Sequence, residues 1–123
     1  MRASLWGLAA ATMVAALPAA ATAGTTRPTC TLRGVHDYAR KADTPRGALA
    51  ALGLAGIAER GAPWQATDVI GPGPRRLPGR RFIAARLDGC VLTVRYEQGG
   101  IAHTFHSAVA QRRGLAWIAL PDR

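Results

Sequence analysis

The sequence predicts an α+β domain: one or two short N-terminal helices packed on a four- to five-stranded antiparallel meander sheet. Three observations carry that expectation. Apolar residues recur at helical spacing only between residues 35 and 59. The C-terminal third consists of β-rich runs separated by Gly-containing turns. What remains after an apolar leader is the size of one domain with one core.

The leader has the three parts of a secretory signal. Met1 and Arg2 form a positive start, Ala3 to Leu17 is almost wholly apolar, and Ala21-Thr22-Ala23 is an A-x-A cleavage site. The apolar run, about 15 residues before Pro18, is short of the roughly 20 needed to cross a bilayer, so the mature chain is expected to carry no transmembrane span. The expected organisation is a cleavable signal peptide over 1–23 and one small domain over 24–123, exported to the periplasm or secreted. Export exposes Cys30 and Cys90, the only two cysteines, to an oxidising compartment, and an even count in a small exported domain predicts that they form a disulfide. Neither a CxxC spacing nor a nearby His supports a thiol site.

The elements follow in chain order. Val35, Tyr38, Ala39 and Ala42 fall at i, i+3, i+4 and i+7 and predict a first helix of about two turns. Asp43-Thr44-Pro45 reads as a stop and restart, with Thr44 or Asp43 as N-cap and Pro45 at the first helical position. The second helix is expected to run from Pro45 toward Leu54 or Glu59. Its glycines at 53, 56 and 61 either permit close approach to a sheet or end the helix at Leu52. Trp64 to Ile70 alternates as a strand, and GPGPRRLPGRR after it, with three prolines and three glycines, is a loop. Four strands complete the sheet at about 82–87, 90–97, 101–111 and 115–120, joined by turns at Asp88-Gly89, Gly99-Gly100 and Arg112-Arg113-Gly114.

A two-residue turn at Asp88-Gly89 sets Leu87 opposite Cys90, Ala85 opposite Leu92 and Ile83 opposite Val94. The core face then collects Ile83, Ala85, Leu87, Cys90, Leu92, Val94 and Tyr96, continued by Ile101, His103, Phe105, Ser107 and Val109. The far face carries Phe82, Ala84, Arg86, Val91, Thr93, Arg95 and Glu97, continued by Thr104, His106, Ala108 and Ala110. His103 and His106 are an odd number apart on a strand, so they point to opposite sides and share no ion; no metal site and no cofactor is expected. The expected partner of His103 is the Tyr96 hydroxyl.

Function is read from charge. The chain has a formal net charge of +9, with Lys41 the single lysine among 16 basic residues. On the predicted far face Arg86, Arg95 and His106 gather with Thr93 and Thr104, a cationic patch with hydroxyl donors suited to phosphate, sulfate or carboxylate. Arg75, Arg76, Arg80 and Arg81 lie at one end of the sheet, Arg112 and Arg113 at the other. Charge so spread, with few interleaved aromatics, argues against sequence-specific nucleic-acid binding. No P-loop, Rossmann, EF-hand, HExxH or GxSxG pattern occurs, and Ser107, the only serine after residue 23, sits in no nucleophile motif. The expected protein is a small basic non-enzyme contacting a protein, an anionic polymer or lipid head groups of the cell envelope. The alternative is a small periplasmic hydrolase or lyase using His103 or His36 as acid or base, with Tyr96 and Asp68. A toxin-like cationic protein fits the charge but lacks a basic amphipathic helix.

Overall fold

The computed structural model describes residues 15–16, 29–67 and 76–122. Nearly all of the leader, Asp68 to Ile70 of the expected first strand, and Arg75 lie outside them. The described chain forms strand β1 (Val35–Tyr38), a 3-10 turn (Lys41–Asp43), helix α1 (Arg46–Ala51) and strands β2 (Arg80–Asp88), β3 (Val91–Gln98), β4 (Thr104–Arg113) and β5 (Ala116–Ala119). The strands make one antiparallel meander in the order β1-β2-β3-β4-β5. This is the predicted class, with the elements redistributed before residue 60.

The strand that makes five in the described sheet is 35–38, where the sequence predicts helix. Val35 to Tyr38 pairs with Asp88 to Ala85 on the outer edge of β2, and edge pairing overrides a helical spacing that spans only two turns. Of the described residues of the segment beginning at Trp64, only Thr67 makes a bridge, parallel to Gly100. The 3-10 turn takes the place of the end of the expected first helix. Its start is held by Glu59, whose carboxylate accepts from the backbone N–H of Lys41 at 2.7 Å and of Ala42 at 2.9 Å.

Helix α1 is shorter than expected, and its termini explain why. Pro45, not Thr44 or Asp43, holds the N-cap position, with no side-chain cap bond. The Thr44 hydroxyl donates backwards to the Arg40 carbonyl at 3.0 Å instead. At the other end Leu54 N–H reaches the Leu49 carbonyl at 2.8 Å and Gly53 N–H the Ala50 carbonyl at 3.1 Å. Gly53 has φ +68°, the left-handed value such a stop requires. The buried pair Leu49 and Leu54 seals that stop, which settles the choice among the glycines in favour of termination at Leu52.

Register decides what faces the core. The β2–β3 turn is Gly89-Cys90, with Asp88 opposite Val91 and Leu87 opposite Leu92; Gly89, at φ +58°, supplies the positive angle this turn needs at its first central position. The offset from the expected pairing is two residues, an even number, so Ala85, Leu87, Leu92, Val94 and Tyr96 keep their predicted side. Cys90 moves into the turn. A bulge between Phe82 and Ala84 brings Phe82 opposite Tyr96, so Phe82 faces the core and Ile83 does not, the reverse of the expectation.

The β3–β4 connection spans residues 99–103, setting Gln98 opposite Thr104 and Tyr96 opposite His106. Its odd length inverts the predicted sides of β4. Ala108 and Ala110 join the core, while Phe105, Ser107 and Val109 lie on the other face. The core comprises Ala48, Leu49, Leu54, Ile57, Phe82, Ala85, Leu92, Val94 and Ala110, flanked by Tyr38, Leu87, Tyr96 and Trp117. Helix α1 and the 54–58 segment thus cover one side of the sheet. The opposite side carries no helix among the described residues; at one end Trp64, His103 and Phe105 gather over Arg81 and the nearly buried Glu97, and the end with Arg86 and Arg95 is open.

Cys30 and Cys90 are bonded, with Cα atoms 6.0 Å apart across 60 positions of sequence. Because Cys90 is a turn residue, the bridge fastens the N-terminal segment to the end of the sheet and not across its core side. The Gly89 N–H reinforces the attachment by donating to the Gly34 carbonyl at 2.8 Å.

Candidate anion-binding cleft

The open part of the face opposite α1 brings together three of the five residues that sequence reasoning groups. Arg86 stands opposite Thr93 and Arg95 opposite Ala84, so both arginines and the threonine share a side, and Asp37 joins them from β1 by pairing with Arg86. The 58–60 segment caps the outer edge of β2 further along, where Ala58 bridges Arg81. Between that segment and the end of β1 lies the bulge. There a cleft of about 540 Å³ opens, lined by Asp37, Tyr38, Ala39, Arg60, Ala84, Ala85, Arg86, Thr93 and Arg95.

Three guanidinium groups and a hydroxyl around one concavity can donate several charge-assisted hydrogen bonds to an oxyanion. Asp37 Oδ1 lies 3.7 Å from Arg86 Nε, with the two side chains 75% and 64% exposed. At that separation and exposure the pair is loose and screened, which leaves Arg86 free to engage a ligand.

His106 and Thr104 do not belong to this group. Both lie on the helix-bearing side of the sheet through their pairing with Tyr96 and Gln98. His106 stacks on Tyr96, centroids 5.4 Å apart, and a ring nitrogen is 2.8 Å from the Thr104 hydroxyl. The predicted five-residue patch therefore divides three to two, for the reason already given: an odd-length loop turned β4 over. Arg60 and Asp37 were missed by sequence reasoning. Asp37 would have been found had residues 35–38 been read as a strand; for Arg60, in a Gly-rich loop, no local pattern signals its position.

His103 lies in the β3–β4 connection, ahead of β4 at Thr104, so the expected strand parity does not set its direction; of the two histidines only His106 is a strand residue. His103 Nε2 is 2.8 Å from Glu97 Oε2, so its partner is this carboxylate and not the Tyr96 hydroxyl. The Arg81 guanidinium engages the other carboxylate oxygen and lies over the Trp64 ring, 4.8 Å from its centroid. Trp64 and Phe105 flank the imidazole at 5.3 and 4.9 Å between centroids. The Glu97 side chain is only 9% exposed. Burial alone pushes its carboxyl pKa up, but the hydrogen bonds and charges of Arg81 and His103 outweigh that and hold it below the ordinary value. Glu59 behaves alike: its desolvation is outweighed by the N–H groups of Lys41, Ala42 and Arg60, with Arg40 nearby.

These two carboxylates make stability pH-dependent in a definite direction. A carboxyl with a depressed folded pKa binds fewer protons folded than unfolded, so its contribution is complete above the ordinary Glu value, about 4.3. It is lost as pH falls through the lower folded value. Urea unfolding as a function of pH is expected to show a midpoint that is flat near neutrality and falls below about pH 4–5. Glu97→Gln, by disturbing the contacts of Arg81 and His103, is expected to cost about 1–3 kcal/mol near neutral pH and to flatten part of the acid decline. An unchanged acid profile in that variant would remove Glu97 from the account.

The constellation expected of a hydrolase is not assembled among the described residues. His103 has an acid beside it, yet Tyr96 is on the opposite side of the sheet, and Asp68 is outside the described residues. His36 sits on the edge strand against Tyr38, centroids 4.5 Å apart. No group of three His, Cys, Asp or Glu among the described residues is placed to hold a metal ion, and no described helix is long and apolar enough to cross a membrane. Comparison with protein-family models, with curated proteins and with solved structures finds no match.

Proposed function

We propose that this chain is an exported, non-enzymatic domain, periplasmic or secreted, that holds anionic groups of a cell-envelope component in the cleft of Arg60, Arg86, Thr93 and Arg95. The observation that carries the reading is the meeting of three arginines and a hydroxyl in one concavity on the sheet face that α1 leaves bare. The disulfide supports an oxidising compartment, and the net charge of +9 favours anionic partners at long range. A hydrolase or lyase reading draws on the bond between Glu97 and His103. Beyond Glu97, the ring neighbours of that imidazole among the described residues are Trp64 and Phe105, neither of which is a nucleophile or an acid.

A net charge this high attracts any polyanion, so the test must separate a site from a general field. Arg86→Glu with Arg95→Glu is expected to weaken binding to an acidic polysaccharide by tenfold or more, about 1.4 kcal/mol. Arg33→Glu with Arg113→Glu changes net charge equally away from the cleft and is expected to have a smaller effect, removed by salt. Equal losses from both pairs, or binding indifferent to salt, would reduce the cleft to part of a diffuse charged surface.

A further inference from the structure

We infer that the cleft is built for an acidic saccharide unit, a hydroxylated ring bearing a carboxylate or phosphate, in preference to a bare inorganic anion or a lipid head group at a bilayer surface. The inference rests on the anion-binding reading and adds to it the class of ligand.

The first reason is Asp37. A site that only captured anions would be weakened by a carboxylate among its arginines, because like charges repel across the same concavity. Asp37 nevertheless lines it, and its looseness from Arg86, 3.7 Å between Oδ1 and Nε with both side chains largely exposed, leaves its oxygens able to accept from a ligand. An ionised carboxylate only accepts hydrogen bonds. Its natural complement is a hydroxyl, while Arg86 and Arg95, diagonal neighbours on adjacent antiparallel strands, are spaced to grip one oxyanion. Thr93, opposite Arg86, both donates and accepts.

Size and floor point the same way. At about 540 Å³ the cleft falls within the range of small-molecule sites, roughly 300–1,000 Å³, far more than a lone phosphate requires. Ala39 and Ala84 give the lining small apolar patches, which suit the C–H face of a sugar ring. Acceptor, paired donors and apolar floor together describe a polyol with one acidic group.

Isothermal titration of the full oxidised chain decides the matter, using galacturonate and glucose 6-phosphate, inorganic phosphate, glucose and vesicles rich in phosphatidylglycerol as probes. Both acidic sugars are expected to bind at least tenfold more tightly than inorganic phosphate or glucose. Asp37→Asn is expected to bring the ratio of acidic sugar to phosphate toward one, through weaker sugar binding and stronger phosphate binding. Arg95→Glu is expected to abolish both, with unchanged thermal unfolding confirming that these exposed substitutions leave the fold intact. Phosphate binding as tightly as the sugars, or a preference that survives Asp37→Asn, overturns the saccharide inference and leaves the anion site standing. Vesicle binding without sugar binding overturns it in favour of lipid. If no anion binds at all, the anion-binding reading itself fails.

Discussion

Replacing Cys30 and Cys90 together by Ala is expected to lower the stability of the folded chain by about 4 kcal/mol, the chain-entropy value for closing a loop of this length. The bond spans 60 positions and so removes much of the freedom of the unfolded chain; a small domain has only about 5–15 kcal/mol to lose. Its local effect is equally definite. The bond and the Gly89–Gly34 hydrogen bond hold the chain just ahead of β1 at the sheet end, and β1 is a four-residue edge strand with little burial of its own. Without the bond, β1 is expected to fray first, and Asp37 would leave the cleft with it. Urea unfolding of oxidised, reduced and double-Ala protein measures the global term, while amide exchange at 35–38 measures the local one. A difference under about 1 kcal/mol would mean that the unfolded state is already constrained, or that the folded bond is strained.

What was legible in the sequence follows the range of the interactions that fixed it. Hairpin signals are local: the Asp-Gly pair and the glycines near 99 and 114 located β2 to β5 to within a few residues, since a turn's chemistry is written in the turn. Cys30 and Cys90 were legible because they had no other partners. Facing was less secure, since it depends on the parity of loops and bulges. The two-residue slip at Gly89-Cys90 moved only Cys90, into the turn, and left every strand residue on its side, whereas the single bulged residue near Ile83 and the odd loop at 99–103 each reversed a set of side chains. That is why Arg86, Arg95 and Thr93 were grouped correctly and His106 and Thr104 were not. Least legible was 35–38, too short for its period to separate helix from strand, whose state is set by pairing with an edge some fifty residues away in sequence. The cleft needed both of the non-local features, β1 and the bulge.

The bulge permits the sharpest test of the core. Phe82 is 1% exposed and among the largest fully buried side chains; Ile83, next to it, is half-buried on the other side, where it lines a shallow pocket with Arg81, Glu97 and Phe105. Phe82→Ala is expected to cost about 3–5 kcal/mol, the transfer of the ring plus the void left beside well-packed neighbours. Ile83→Ala is expected to cost roughly 1–2 kcal/mol, because part of its surface is already hydrated and it lies outside the core. A regular strand would reverse that order, since strict alternation with Ala85 and Leu87 turns Ile83 inward and Phe82 out. Chemical unfolding of the two variants therefore reads the bulge directly. If Ile83→Ala proved the more damaging, β2 would run without a bulge, and the cleft beside Ala84 would lose the backbone geometry that forms it.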